Sequence, residues 1–257
     1  QVAANPYVSV LGRPETSSSR LTMTQAFNSL GTTLAPFFGA WLIFGGMDAP
    51  TPGEVTESTV QIPYLLLAAV LIVMALVFAF LRLPKLGKKD VNLDITSGSA
   101  WRYRHLVLGA VGIFVYVGVE VTIQSNLGEL MKGEAFGNIT DSELAPYISL
   151  YWGSLMIGRW TGAISVFNPS ASLKKILMIV VPYVAFGVII ASNAIAGHDF
   201  GPLYLYAFVI LFQVVGFFFG KDRPTETLFI FGGHGAISIV VVMITTGNIA
   251  IYAFLSV

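Results

Sequence analysis

The 257-residue sequence has no cysteine. That excludes a disulfide framework, a thiolate metal site and a cysteine nucleophile. Charge is scarce as well: Asp, Glu, Lys and Arg make up 11% of the chain, against roughly 25% in an ordinary soluble domain. The 14 basic residues balance the 14 acidic ones, so no net field favours nucleic acid. The three histidines, His105, His198 and His234, lie on separate stretches without ligand spacing, which suggests neither a zinc site nor paired haem ligands. His234 carries chemistry suited to proton transfer, yet a histidine outside any motif is more often structural. No Gly-x-Ser-x-Gly elbow or phosphate loop occurs. The chain therefore reads as a non-enzyme without cofactor or metal.

What fills the sequence is apolar. Hydrophobic residues account for 55% of it and the mean hydropathy is +0.75, which predicts an all-α integral membrane protein. Spans are expected over 21–46, 62–83, 105–131, 147–167, 176–196, 203–220 and 228–246, each long enough or nearly so for a helix across a ~30 Å hydrocarbon core. The stretches at 1–11 and 248–257 are too short to span, so the sequence is expected to be an internal fragment of a longer chain. The 26 glycines suit close helix contacts.

The span at 105–131 carries Glu120, where a carboxylate is costly. Counting by fours from Gly112 gives Tyr116, Glu120, Gln124 and Gly128, so polar atoms share one helical face while Val115, Val117 and Val119 cover the others. A charge near the middle of a spanning helix costs about 3 kcal/mol on insertion scales and normally faces a cavity or a partner. Glu120 is thus a candidate proton or substrate site; the plainer alternative is a glutamate bonded across a helix interface. The span at 21–46 is also unusually polar, with Thr22, Thr24, Gln25, Asn28, Thr32 and Thr33. Its amides must turn towards a cavity or another helix.

The loops order the topology. When alternate loops are assigned to one side, every Lys and Arg except Lys132 falls on that side, which marks the loops at 12–20, 84–104, 168–175 and 221–227 as cytoplasmic. The segment at 84–104 is the longest polar connection. It divides the chain into the end of one helical bundle, 1–83, and part of a second, 105–257.

Four motifs lie in order over the first two thirds of the chain: Ala3-Ala4-Asn5-Pro6-Tyr7, Gln25-Ala26-Phe27-Asn28-Ser29, Tyr116-Val117-Gly118, and Ile157-Gly158-Arg159-Trp160-Thr161-Gly162. Their joint spacing resembles the fucose, galactose and hexose permease branch of the major facilitator superfamily. The resemblance implies a helical bundle fragment beginning in the fourth of twelve helices, with 84–104 as the connection between two six-helix halves and the Glu120 helix as the seventh. Against that pattern the hairpin at 176–220 reads as an insertion that returns the chain to the same side. Fucose-type members carry a proton-coupling glutamate where this chain has Gln1, and a glutamine where it has Glu120. The implied proton carrier is therefore Glu120.

The implied activity is uptake of a hexose or related sugar by proton symport through alternating access, in a multi-pass monomer of the cell inner membrane. The partners are a small-molecule sugar, a proton and the lipid bilayer, with no nucleic acid. Amides and carboxylates hold sugar hydroxyls and an aromatic ring covers the apolar face of a pyranose. Gln1, Asn5, Gln25, Asn28 and Gln124 supply the first and Tyr116 the second. The same amides could instead bond helix to helix. Gly158, Arg159 and Gly162 are expected to act in gating or packing; Arg159 either pairs across helices or snorkels to headgroups. Alternative functions are sodium-coupled symport and a sugar sensor or scaffold that does not translocate.

Overall fold

The computed structural model describes residues 4–44, 57–83, 99–140, 143–220 and 223–256. Among these, all regular structure is helical: α1 (Ala4–Val10), α2 (Ser17–Phe44), α3 (Glu57–Phe80), α4 (Arg104–Met131), α5 (Leu144–Ala163), α6 (Ala171–Ile195), α7 (Tyr206–Gly220), α8 (Pro224–Ile244) and α9 (Gly247–Leu255). The helices fall on the expected spans; α2 to α6 and α8 start early, because polar residues extend them beyond the apolar runs, while α7 starts after a 3₁₀ turn over Gly201–Leu205. Ser170 caps α6 by accepting from the Leu173 amide, and Pro224 opens α8, where its missing N–H costs nothing. Gly197 stops α6 at φ +78, a left-handed conformation that a side chain would strain.

Among the described residues, five helices are long and apolar enough to cross a membrane: Gln61–Phe80, Arg104–Met131, Ala171–Ile195, Gly201–Gly220 and Thr225–Ile244. The fold is that of an all-α, multi-pass membrane protein. The chain divides into two compact units, one formed by 1–40 with 127–257 and the other by 41–126. The bundle boundary expected at 84–104 falls within the second unit, and 84–98 lie outside the described residues.

In the second unit, α3 presents apolar side chains on every side. Leu65 is 69% exposed, Leu71 64% and Phe78 56%. An all-round apolar helix is stable only in lipid or a large core, so α3 suits the membrane span that its sequence predicts. The α4 residues of this unit are similar, with Ile113 and Phe114 exposed and Glu120 half-buried.

The first unit has an interior. Leu150, Met156 and Ile157 of α5, Ile189 of α6, Tyr206 and Ile210 of α7 and Leu255 of α9 are buried there. Lipid tails are as apolar as leucine, so close packing and hydrogen bonds drive this association instead of hydrophobic burial. Close packing is visible at three glycines. A Cβ at Gly153 would lie 2.2 Å from Ile189 Cδ1, and one at Gly220 2.2 Å from Thr227 Oγ1 and 3.0 Å from the Thr227 Cα. At Gly216 the nearest atom is Ile230 Cγ2 at 3.3 Å. Gly216 and Gly220 form a small-xxx-small pair on α7 that lets α8 approach, and Thr227 Oγ1 then donates to the Gly220 carbonyl at 2.7 Å. The hydrogen bonds include Asn193 Nδ2 to Ser149 Oγ at 2.9 Å between α6 and α5, and Tyr206 OH to the Leu255 carbonyl at 3.0 Å.

Candidate functional site

Helix α2 sorts its residues by face. Ala26, Ser29 and Thr33 are buried, while Phe27, Asn28, Gly31 and Ala35 are exposed. Its hydroxyls are satisfied within the helix: Thr22 donates to Ser18, Thr24 to Arg20, Ser29 to Gln25, and Thr32 and Thr33 to the Ser29 carbonyl. These residues need no cavity, which narrows the expectation from the sequence. What remains are the amides of Gln25, half-buried, and Asn28, exposed, neither of which makes a side-chain hydrogen bond among the described residues. The two lie three apart and share one side of the helix.

The buried face of α2 meets α5. Arg159 Nη1 donates to Ser29 Oγ at 2.5 Å, and Trp160 Nε1 donates to the Ala26 carbonyl at 3.2 Å. A Cβ at Gly162 would lie 3.1 Å from Thr22 Cγ2, so its small size admits α2. Gly158 is different: among the described residues nothing stands within 4 Å of its Cβ position. Arg159 thus reaches from α5 to the Ser29 hydroxyl of α2. Of the polar groups on α2, the Ser29 hydroxyl and the Ala26 carbonyl are the ones bonded across this seam among the described residues.

Arg20 fixes α1 against α2. Its guanidinium donates to the carbonyls of Val8 at 3.2 Å, Ser9 at 2.8 Å and Arg13 at 2.8 Å, and also reaches Thr16 Oγ1. A cation on the last carbonyls of α1 satisfies groups that a helix end leaves open. Asn5, half-buried on α1, is held in place by this clamp. Gln1 lies outside the described residues.

The α4 candidates belong to the second unit. Tyr116 and Gln124 are exposed and Glu120 is half-buried. Next to their row runs another that the sequence count passed over: Thr122 Oγ1 donates to the Gly118 carbonyl and Asn126 Nδ2 to the Thr122 carbonyl, both at 2.7 Å. Those two are satisfied on their own helix.

Outside the spans, Glu143 accepts from the Thr140 hydroxyl at 2.7 Å and from the Thr140 amide at 3.1 Å. The hydroxyl first, then the amide, holds its carboxyl below the ordinary value of 4.5. Thr140 and Glu143 stand in the Ser/Thr-x-x-Glu spacing that starts helices. No group of His, Asp or Glu among the described residues could hold a metal ion.

A chain of apolar spans with polar residues set into them defines a multi-pass helical membrane protein. Comparison with known proteins places it further. A glucose/galactose transporter of Brucella abortus biovar 1 (strain 9-941) is 49% identical over 164 residues, which are 63% of this chain and 40% of that protein. A putative glucose/galactose transporter of Helicobacter pylori (strain ATCC 700392 / 26695) is 37% identical over 235 residues, 88% of this chain and 53% of the other. The L-fucose-proton symporter of Escherichia coli (strain K12) is 29% identical over 221 residues, 77% and 49% respectively. No family model and no solved structure matches the chain. The chain spans about half the length of these relatives. They bear out its kinship with the fucose, galactose and hexose permease branch of the major facilitator superfamily.

Proposed function

We propose that the protein is a secondary active transporter that takes up a hexose by proton symport, alternating access between the two sides of the cell inner membrane. What supports this is the set of relatives named as glucose/galactose transporters and as an L-fucose-proton symporter, over a chain whose span α2 carries two amides, Gln25 and Asn28, without a side-chain hydrogen bond among the described residues. Gln25 and Asn28 form one polar wall for sugar hydroxyls, with Asn5 held nearby on α1 through Arg20. In the other unit, Tyr116 and Gln124 on α4 are taken as sugar contacts in their own right. Glu120 takes the proton, since the fucose-type carboxylate position is Gln1 here. Protonated, it offers sugar a neutral hydrogen-bonding group; deprotonated towards the cytoplasm, it weakens the site and resets the carrier.

The helices from α4 to α9 number six among the described residues, the complement of one transporter half. With α4 as the seventh helix, α6 and α7 take the ninth and tenth places, and 176–220 is an ordinary hairpin instead of an insertion. The H. pylori match supports this: it covers 88% of the chain, leaving fewer residues outside it than the hairpin contains. The seam at Arg159 and Ser29 acts as a lock between α2 and α5 that one state of the cycle makes and the other breaks.

The test is sugar uptake into proteoliposomes under an imposed pH difference. Accumulation that collapses with the proton gradient supports symport. Binding without accumulation under any gradient makes the protein a sensor, and a response to sodium alone removes proton coupling.

A further inference from the structure

On α7, Phe212, Gly216 and Phe219 fall on one face, at i, i+4 and i+7. Gly216 has no side chain to fill the space between the two rings, and α8 closes in on it: a Cβ there would lie 3.3 Å from Ile230 Cγ2 and 3.4 Å from Phe231 Cζ. The result is a groove of about 540 Å³ along the α7–α8 crossing, lined by Phe212, Val215 and Phe219 of α7 and by Ile230 and Phe231 of α8. Phe212 is 71% exposed and Phe219 72%, so little protein covers these rings among the described residues. Gln213 and His234 also border the groove, away from the α7–α8 turn. Their polar atoms are engaged elsewhere or enclosed, since Gln213 bonds the Tyr206 hydroxyl and His234 Nε2 is buried.

The end of the groove next to the turn is charged. Glu226 lines it, and Arg223 donates to Glu226 at 2.8 Å with both side chains largely exposed. The sequence of the turn, Lys221-Asp222-Arg223 followed by Glu226, holds two charges of each sign. An exposed ion pair contributes little stability by itself, so each partner can exchange the other for a charge supplied from outside. A guanidinium matches a phosphate, which it holds through two N–H groups at once, and a carboxylate matches an ammonium. A mouth with no net charge gives an anionic headgroup no advantage over a zwitterionic one. The groove itself needs hydrocarbon, which the bilayer around a membrane span supplies as lipid tails. Phosphatidylethanolamine carries phosphate, ammonium and tail in that order. Phosphatidylcholine has the phosphate, but its quaternary ammonium has no N–H to donate, and phosphatidylglycerol has no cation for Glu226.

We propose that the α7–α8 groove is a binding site for phosphatidylethanolamine, with one acyl chain along Phe212, Val215, Phe219 and Ile230, the phosphate on Arg223 and the ammonium on Glu226. The site rests on α7 and α8 being membrane spans and is independent of sugar or proton transport. An acyl chain there supplies the contacts that Gly216 leaves open between the two rings. Bound lipid thereby braces the loop end of α7 against that of α8.

The experiment is native mass spectrometry of the full-length protein released from nanodiscs that hold phosphatidylethanolamine, phosphatidylcholine and phosphatidylglycerol in equal parts. Phosphatidylethanolamine should be retained roughly tenfold over either of the others, the preference that one hydrogen bond to a charged group provides. Glu226→Gln should bring its retention close to that of phosphatidylcholine. Val215→Trp, which fills the groove with a ring, should lose the bound lipid. Should that variant fail to fold, a photoreactive phenylalanine analogue in place of the exposed Phe219 reads the occupant directly, and illumination in the same nanodiscs should attach it to phosphatidylethanolamine. Equal retention of the three lipids overturns the site, and so does undiminished phosphatidylethanolamine on a folded Val215→Trp protein. Attachment of the analogue to another stretch of the protein overturns it too, because the groove is then covered by a helix instead of a lipid.

Discussion

Replacing Ser29 with alanine removes the acceptor of Arg159 at the α2–α5 seam. Ser29 is fully buried and the bond is short at 2.5 Å. A hydrogen bond to a charged group contributes roughly 1.5–3 kcal/mol in soluble proteins, whereas interhelical bonds in membranes average about 0.6 kcal/mol. Arg159 is half-buried and its other N–H groups can find water, so about 1 kcal/mol is the reasonable loss, a shift of roughly fivefold between the joined and parted states of the seam. The sequence has no cysteine, so a single Thr22→Cys change reports on the seam without background; Thr22 Cγ2 faces Gly162 there. Labelling by a membrane-impermeant maleimide should be slow in that background and roughly fivefold faster once Ser29→Ala is added. Gly158→Ala, which meets nothing within 4 Å, should leave the rate alone. An unchanged rate in the Ser29→Ala protein would mean that the bond locks nothing, and Arg159 would then be an anchor to headgroups.

Glycine substitutions should rank by what their Cβ meets. Gly153→Ala, against the fully buried Ile189, and Gly220→Ala, against Thr227, should each lose on the order of 1–3 kcal/mol, read as a lower midpoint in detergent unfolding, and Gly158→Ala should lose none. Removing both members of a buried pair is gentler than removing one, so Ser149→Ala with Asn193→Leu should lie nearer wild type than Asn193→Ala in the same measurement. Because the Glu143 carboxyl is held below its ordinary 4.5, its support for the start of α5 is full above that value and is lost as pH falls through the lowered one. Protection of the Thr140 amide relative to its intrinsic exchange rate should fall there, and Glu143→Gln should abolish that pH-dependent loss of protection. Asn28→Ala should weaken sugar binding several-fold with expression unchanged; unaltered affinity would remove Asn28 from the cavity wall.

The helices were legible because each is a long apolar run bounded by polar residues, and the order of four motifs carried the kinship. The seam was legible only in part. Arg159 and Gly162 stood out as a charge and a small residue inside a span, but Thr22 looked like one more polar group needing a cavity and Ser29 stood only as the end of a motif, until the structure showed their hydroxyls bonded to their own helix. Gly158 matched the same spacing as Gly162, yet among the described residues no atom stands within 4 Å of its Cβ position, because the pattern fixes a helix face without saying what covers it. Gly216 and Gly220 carried an equal signal and went unremarked among three phenylalanines. Asn193 and Tyr206 were hidden for a different reason: their partners, Ser149 and Leu255, are far away in sequence, and only the packing of α5, α6, α7 and α9 brings them together.

Proton coupling through Glu120 is tested most directly by sugar accumulation in proteoliposomes carrying Glu120→Gln, which removes the titrating group and keeps its shape and hydrogen bonding. The variant should bind sugar and exchange it across the membrane, yet fail to concentrate it when a pH difference is imposed. If it still concentrates sugar in response to that difference, Glu120 is not the carrier.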